Sequence, residues 1–170
     1  RIDYSILDQH SESYRKIRNT FRYLLGNLND NFNEINMKDV DPQKLPELEQ
    51  FMLDKIYSLN LKFDKYFQEY DFHNLYKELL NFCTVDLSAF YFDIRKDTLY
   101  CDQIDSPKRQ SCIVVLNILL NSLLKWFAPI LSFTTEEIYQ LVSKKNKSIH
   151  LEKFLEFPKN FENEKISKKW

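Results

Sequence analysis

Glycine is almost missing from this sequence of 170 residues, which contains only Gly26, and proline occurs five times. Tight β-hairpins need glycine or asparagine where φ is positive, so this composition disfavours a fold rich in hairpins. A glycine-rich loop that cradles phosphates is almost excluded for the same reason. An all-α fold remains, and we predict an up-and-down bundle of four to five antiparallel helices.

Cysteine and histidine are also scarce and scattered along the chain. Cys83, Cys101 and Cys112 include no CxxC pair and are odd in number, so they indicate neither a disulfide framework nor a zinc site. No histidine stands at helical spacing from a second ligand-type residue that could close a metal site. We therefore predict no catalytic residue, metal site or cofactor within this chain, and a reducing cytoplasm suits its thiols.

Charge of one sign and long apolar runs are lacking as well. The formal net charge of −1 argues against a uniformly basic nucleic-acid binder. The longest apolar stretch, residues 112–124, is interrupted by Asn117, Asn121 and Ser122 and is shorter than the ~20 residues of a membrane span. We expect a buried helix there and no membrane association.

Apolar periodicity predicts five helices. The first starts near Tyr14 and ends at Gly26 and the Asn/Asp-rich run that follows. The second covers residues 47–69, and the third starts after an N-cap at Asp71 and buries Leu75, Leu79, Cys83, Leu87, Phe90 and Ile94. Ser106-Pro107 opens a fourth helix that is apolar on nearly every side as far as Phe127. A capping box at residues 134–137 opens a fifth toward Val142. We predict a helical domain over residues 1–145 and an extended segment over 146–170.

The first helix carries a second stripe beside its apolar one. Arg15, Arg18 and Arg22 are spaced i, i+3 and i+7, with Lys16 and Asn19 beside them and no acidic residue between Tyr14 and Arg22. This stripe lies roughly 100° around the helix from the core face. Guanidinium groups bind phosphates and base edges while staying charged, which favours a nucleic-acid surface. A solvated face that pairs with acids on a neighbouring helix is an equally open interpretation.

Two other features point less to binding. Residues 93–109 hold four basic side chains around Tyr100, but four acids cancel their charge, which favours a structural role: Arg95, Lys96, Lys108 and Arg109 against Asp93, Asp97, Asp102 and Asp105. Trp126 could stack on an unpaired base, but we favour a core position for it.

Several segments resemble the isoleucyl-tRNA synthetases, which are class I aminoacyl-tRNA synthetases. These segments are YRKIRNTFRYLLGNL (14–28), YDFH (70–73), NFCTVDLSAFY (81–91), KDTLY (96–100) and WFAPILSFTTEEIY (126–139). The last is shared with the valine and leucine enzymes, and residues 81–91 favour isoleucine over valine. Ser132 stands where many relatives have proline, and Asn31 interrupts their usual Asp-Phe.

The resemblance implies an anticodon-binding bundle cut from a larger ligase, which charges tRNA(Ile) with isoleucine by way of an ATP-derived adenylate. The catalytic and editing domains are absent here, so magnesium with ATP, and zinc in other regions, would belong to the parent enzyme. It also implies that tRNA contacts come from Arg18, Asn19 and Arg22, with Arg15 and Lys16 second. The expected partners are tRNA(Ile) and the remaining domains of a monomeric, cytoplasmic polypeptide. Alternatives are the anticodon domain of a valine or leucine enzyme, or a helical protein-interaction module, which would expose an apolar stripe.

Overall fold

A computed structural model describes residues 3–28, 32, 35–143 and 147–170, and the described part contains helices and turns but no strand. The helices are α1 (Tyr4–Leu28), α2 (Glu47–Gln68), α3 (Phe72–Asn81), a π-helical segment (Phe82–Tyr91), α4 (Phe92–Cys101), α5 (Pro107–Phe127), α6 (Ser132–Val142) and the short α7 (Glu164–Ser167). The predicted all-helical bundle is confirmed. Single 3₁₀ turns cover Met37–Asp39, Pro42–Lys44, Ile149–Leu151 and Lys159–Phe161.

The centre of the bundle is α5, as the sequence predicts. Thirteen of its residues are buried, and α1, α2, α4 and α6 pack around it. It is long and apolar enough to cross a membrane, but 72% of its most apolar window is buried inside the bundle, as in a core helix. Asn117 and Asn121 donate their side-chain amides to carbonyl oxygens one turn earlier, at Ile113 and Asn117. The amide stripe of α5 is therefore satisfied within the helix.

Trp126 belongs to the core, as predicted. Only 1% of its surface is exposed, and its ring meets Phe63 edge-on at 4.9 Å between centroids. Its indole Nε1 donates to Oδ1 of Asn60 at 3.1 Å, so the polar end of the ring is also paired inside the bundle. Trp126 is therefore closed to any base from outside.

Helix α1 is longer than its apolar pattern predicts. It begins at Tyr4, ten residues before Tyr14, yet its buried residues begin only at Ile17. It runs through Gly26 and ends at Leu28, within the predicted end at Gly26 and the Asn/Asp-rich run. Gly26 has no positive φ, and the Asn/Asp-rich run beyond it, including Asn31, falls largely outside the described residues. The side chains from Ile17 onward fix α1 to the bundle, with Phe21 edge-on to Phe127 at 6.0 Å.

The third predicted helix contains the π-helical segment, which changes which of its residues are buried. Asp71 caps that helix as predicted, because its Oδ1 accepts from the backbone nitrogen of Asn74 at 3.2 Å. Every fourth residue from there on is buried: Leu75, Leu79, Cys83, Leu87, Tyr91, Arg95 and Leu99. In a pure α-helix of 3.6 residues per turn, each such step would drift by about 40°. The wider i→i+5 winding of residues 82–91 offsets this drift. Ile94 is therefore 44% exposed and Phe90 half-buried, against prediction.

The predicted capping box at the start of α6 is wrong. The helix begins at Ser132, immediately after a turn in which Leu131 donates its backbone N–H to the carbonyl of Phe127 at 2.7 Å. Thr135 is therefore already inside the helix, where its hydroxyl bonds to the Leu131 carbonyl at 3.0 Å. Glu136 instead accepts from Ser148 Oγ and the Ile149 backbone nitrogen, both at 2.9 Å. The predicted end of α6 at Val142 is confirmed.

Residues 147–151 pack beside α6, and residues 159–170 pack along α2. Phe161 is buried, and Trp170 stacks on Phe51 with ring centroids 5.9 Å apart. The indole nitrogen of Trp170 donates to Oε1 of Glu47 at 3.0 Å. This segment consists of two turns, α7 and irregular backbone. The division of the chain after residue 145 stays a prediction.

A buried ion pair joins α2 to α4. The guanidinium of Arg95 donates two hydrogen bonds to the carboxylate of Glu49, at 2.6 and 2.7 Å, and neither side chain is more than 8% exposed. The hydroxyl of Tyr91 donates to the same carboxylate at 3.1 Å and lies 3.5 Å from the sulfur of Cys112. Burial raises the pKa of Tyr91 well above its ordinary value of 10.0. This network holds α2, α4 and α5 together.

Candidate nucleic-acid interface

All five predicted contact residues lie exposed on α1. Because the apolar face of this helix is fixed in the bundle from Ile17 onward, the backbone beneath the arginines is held rigidly. Arg15 forms a 2.8 Å ion pair with Glu12 on its own helix. Among the residues that the structure describes, Arg18 and Arg22 have no such pair. Of the alternative interpretation, the solvated face is present, whereas pairs between these arginines and acids on a neighbouring helix are not found among the described residues.

Arg18 and Arg22 line a groove between α1 and α6, which we call the arginine groove. Its volume is about 460 Å³. The two guanidinium-bearing residues face Thr134 and Glu137, and the other lining residues are Phe21, Leu25, Gly26, Ile138 and Leu141. A hydrogen bond of 2.9 Å between the hydroxyl oxygens of Tyr14 and Thr134 ties the two helices together. The groove therefore combines two cations and one carboxylate, that of Glu137, with a mostly apolar floor.

A second groove, between α1 and α4, lies on the other side of Arg22. We call it the tyrosine groove; it measures about 390 Å³ and is lined by Asn19, Arg22, Tyr23, Gly26, Asn27 and Tyr100. The ring of Tyr23 stacks on Phe92 with centroids 4.2 Å apart, which fixes the floor. The amide nitrogen of Asn27 lies 3.5 Å from the hydroxyl of Tyr100, which joins the ends of α1 and α4. Arg22 thus borders both the arginine groove and this shallower surface.

The structure divides the predicted contacts into two groups. Arg18, Asn19 and Arg22 border one or both grooves, whereas Arg15 and Lys16 border neither. The resemblance implies the same ranking, with the first group ahead of the second as tRNA contacts. The ranking stays a prediction. Arg15 is in addition committed to Glu12, which reduces the charge that it offers to a ligand.

The second basic segment has mainly structural roles, as predicted. Arg95 is buried against Glu49, and Lys96 pairs with Asp93 at 2.8 Å. Arg109 donates to the carbonyl of Asp102 at 2.7 Å. Tyr100 is the exception, because its ring is 67% exposed beside Asn19 and Arg22. Helical spacing could not associate Tyr100 with α1, since the two lie on different helices.

A larger cavity of about 570 Å³ lies between the turns at residues 37–44 and the start of α5. Its lining includes Asp39 and Asp41 as well as Lys44 and Arg109. Two carboxylates at the rim repel phosphate, and the guanidinium of Arg109 is already bonded to a backbone carbonyl. We therefore regard the grooves beside α1 as the better surface for a nucleic acid.

These features define a helical domain with exposed arginines along one helix, α1. The described residues bring no group of three His, Cys, Asp or Glu side chains together that could hold a metal ion. His10, His73 and His150 are all exposed, and the ring of His150 lies 3.3 Å from the carbonyl of Ser132.

Comparison with known proteins identifies the domain. Residues 49–170 match the family described as the anticodon-binding domain of tRNA ligase. Over all 170 residues the chain is 68% identical to the isoleucine–tRNA ligase of Pelagibacter ubique and spans 19% of that protein. It is 40% identical over its full length to the isoleucine–tRNA ligase of Agrobacterium fabrum, and 43% identical over 96% of its length to that of Ruegeria pomeroyi, spanning 17% of each. The chain belongs to the anticodon-binding domains of tRNA ligases.

The chain therefore spans less than a fifth of the length of these curated relatives. The matched family region begins at residue 49, after α1, whereas the alignments with the isoleucine enzymes of P. ubique and A. fabrum include α1. The arginines of α1 thus lie outside the part of the chain that the family description covers.

Proposed function

We propose that this chain is the anticodon-arm-binding domain of an isoleucine–tRNA ligase, which charges tRNA(Ile) with isoleucine using ATP. The observation that carries this proposal is the match of the entire chain to isoleucine–tRNA ligases, at 68% identity in the first case above. That match favours isoleucine over the valine and leucine enzymes. Membership of the anticodon-binding family in turn favours RNA over a protein partner.

Arg18 and Arg22 bind phosphates of the anticodon arm in this proposal, and Asn19 hydrogen-bonds beside them. Guanidinium groups suit this role because they present several N–H donors in a fixed plane and stay charged. Phosphate contacts position the RNA, while contacts to bases specify its sequence. Because α1 is anchored by buried side chains from Ile17 onward, little ordering of the backbone is needed on binding. Arg15 and Lys16 add charge at the edge of the surface.

The chemistry of the ligase belongs to other domains of the same polypeptide in this proposal. Those domains would bind ATP with magnesium, and zinc where a zinc region is present. In this proposal the domain contributes binding, and no catalytic step is assigned to it. We place it in the cytoplasm, as part of a monomeric enzyme without membrane attachment.

The proposal is tested by fluorescence anisotropy with labelled tRNA(Ile) at low salt. We expect Arg18→Ala plus Arg22→Ala to weaken binding about 100-fold or more, since hydrogen bonds to charged groups contribute about 1.5–3 kcal/mol each. Helicity measured by circular dichroism should stay native, because both side chains are exposed. We also expect binding by this domain alone to be weak, since contacts from other regions are missing, and a nanomolar Kd would contradict that expectation.

A matched control removes the same charge elsewhere. Lys65 and Lys77 are exposed on α2 and α3 and border neither groove. Lys65→Ala plus Lys77→Ala should bind tRNA nearly as well as the parent. Equal binding by the arginine double variant and the parent would show that the row on α1 is not the tRNA surface. Equal losses in both double variants would indicate a response to net charge alone.

A further inference from the structure

The tyrosine groove contains an exposed aromatic ring beside amides and a guanidinium. Tyr100 is 67% exposed, and among the described residues no other aromatic ring packs on it. Asn19, Asn27 and Arg22 lie around it, and the amide nitrogen of Asn27 is 3.5 Å from its hydroxyl. The neighbouring Tyr23 is half-buried and already stacked on Phe92. One aromatic face, with hydrogen-bonding groups at its edge, is therefore open to a ligand.

We propose that an unpaired base of the anticodon loop stacks on Tyr100, with the amide of Asn19 at the base edge and Arg22 on the adjoining phosphate. This inference rests on the proposed function, since it places part of the same RNA. Single-stranded RNA is bound largely by stacking on aromatic rings and by hydrogen bonds to exposed base edges. An aromatic ring, an amide and a guanidinium are all present here, on two helices that the Asn27–Tyr100 contact joins.

The composition of the groove favours a base over an apolar side chain of a protein. Apart from the two tyrosines and Gly26, its lining consists of Asn19, Asn27 and Arg22, so an aliphatic partner would meet mostly polar groups. A base has an apolar face and a polar edge, which matches a ring surrounded by amides. Gly26 keeps the approach open, because even an added Cβ would meet nothing within 4 Å.

Two substitutions separate stacking from hydrogen bonding at this position. Tyr100→Ala removes the ring, whereas Tyr100→Phe keeps the ring and removes only the hydroxyl. Tyr70→Ala is the control, because Tyr70 is 80% exposed and borders neither groove. Each variant is titrated with an anticodon stem-loop and with a fully paired duplex of the same stem, which offers no unpaired base.

We expect Tyr100→Ala to weaken binding of the stem-loop roughly 5- to 100-fold, the range found when a stacked base loses its aromatic partner. Binding of the duplex should not change, and the salt dependence for the stem-loop should stay that of the parent, since no phosphate contact is lost. Tyr100→Phe and Tyr70→Ala should behave like the parent with both RNAs.

Three results would overturn the inference while leaving the proposed function intact. The first is native stem-loop binding by Tyr100→Ala in a series where the arginine double variant loses binding. The second is an equal loss by Tyr100→Ala for stem-loop and duplex, which would indicate a contact to the backbone. The third is a loss by Tyr100→Phe as large as that by Tyr100→Ala, which would assign the effect to the hydroxyl. Failure of the parent to bind either RNA would instead remove the proposed function itself.

Discussion

Arginines occur in two opposite environments in this domain. Arg95 on α4 is buried and forms two hydrogen bonds with Glu49, whereas Arg18 and Arg22 on α1 are exposed and border an open groove. Burial would lower the pKa of Arg95, but the hydrogen bonds and charge of Glu49 outweigh it, so the pKa is raised. The side chain is the same, yet Arg95 contributes to holding the bundle together and the arginines of α1 are available to a ligand.

This difference shows that the residues on the neighbouring helix determine whether an arginine forms a buried ion pair or stays exposed. A buried guanidinium is tolerated only when a partner compensates its charge, and α2 supplies that partner with Glu49. Opposite Arg18 and Arg22, α6 supplies two apolar residues, Ile138 and Leu141, together with Thr134 and Glu137. The following substitutions test this comparison.

Removing the partner of the buried arginine should have the largest effect on stability. Glu49→Gln leaves the Arg95 charge uncompensated, and we expect a loss of about 3–5 kcal/mol in the free energy of unfolding. Urea denaturation followed by circular dichroism measures it. As a matched control, Arg18→Ala plus Arg22→Ala should change the free energy of unfolding by no more than about 0.5 kcal/mol. Comparable losses in both variants would remove the distinction between the two environments.

A double variant sharpens the same point. Glu49→Leu plus Arg95→Met replaces the pair by apolar side chains, and breaking one partner is costlier than replacing both. We expect this double variant to be more stable than Glu49→Gln. A free energy of unfolding below that of Glu49→Gln would contradict this expectation. It would show that the Glu49–Arg95 pair itself stabilises the bundle, in addition to preventing an unpaired buried charge.

Thiol reactivity should follow the same contrast between buried and exposed positions. Burial raises the pKa of Cys112, beside the Glu49–Arg95 pair, to about 11 and that of Cys83 to about 12. Relative to the ordinary value of 9.0, two units correspond to roughly 100-fold less thiolate at neutral pH. Cys101 is exposed. Alkylation of the folded domain, followed by mass spectrometry, should therefore modify Cys101 alone. Modification of Cys112 at a similar rate would contradict a closed network.

A smaller gain in stability is expected on the open face of α1. Gly26 lies inside the helix, where glycine is less favourable than alanine by roughly 0.5–1 kcal/mol. Because an added Cβ meets nothing within 4 Å, Gly26→Ala should stabilise the domain by about that amount. Thermal denaturation measures the change. A destabilised variant would mean that the surface beside Arg22 is more crowded than the structure has it.

Much of the fold follows from the sequence because apolar spacing fixes which helix faces are buried. The bounds of α5, the cap at Asp71, the core position of Trp126 and the exposed arginine stripe were all predictable in this way. The π-helical segment was not, since sequence periodicity assumes 3.6 residues per turn throughout. Periodicity therefore predicts that Ile94 is buried, and it does not predict the observed burial of Tyr91 and Arg95.

The tyrosine groove shows a second limit of prediction from sequence. Tyr100 and Asn27 lie on different helices, and only the packing of α4 against α1 brings them together. In the sequence, the acids around Tyr100 cancel the nearby positive charge and favour a purely structural role. The structure separates these groups, since Lys96 pairs with Asp93 while Tyr100 points into the groove.

The salt dependence of tRNA binding tests the central claim most directly. The logarithm of the association constant falls linearly with the logarithm of salt concentration, with a slope of about −0.7 to −0.9 per phosphate neutralised. We predict that Arg18→Ala plus Arg22→Ala makes this slope shallower by roughly 1.4–1.8, whereas Lys65→Ala plus Lys77→Ala leaves it unchanged. Identical slopes for the parent and the arginine double variant would contradict the claim that these two arginines contact the RNA backbone.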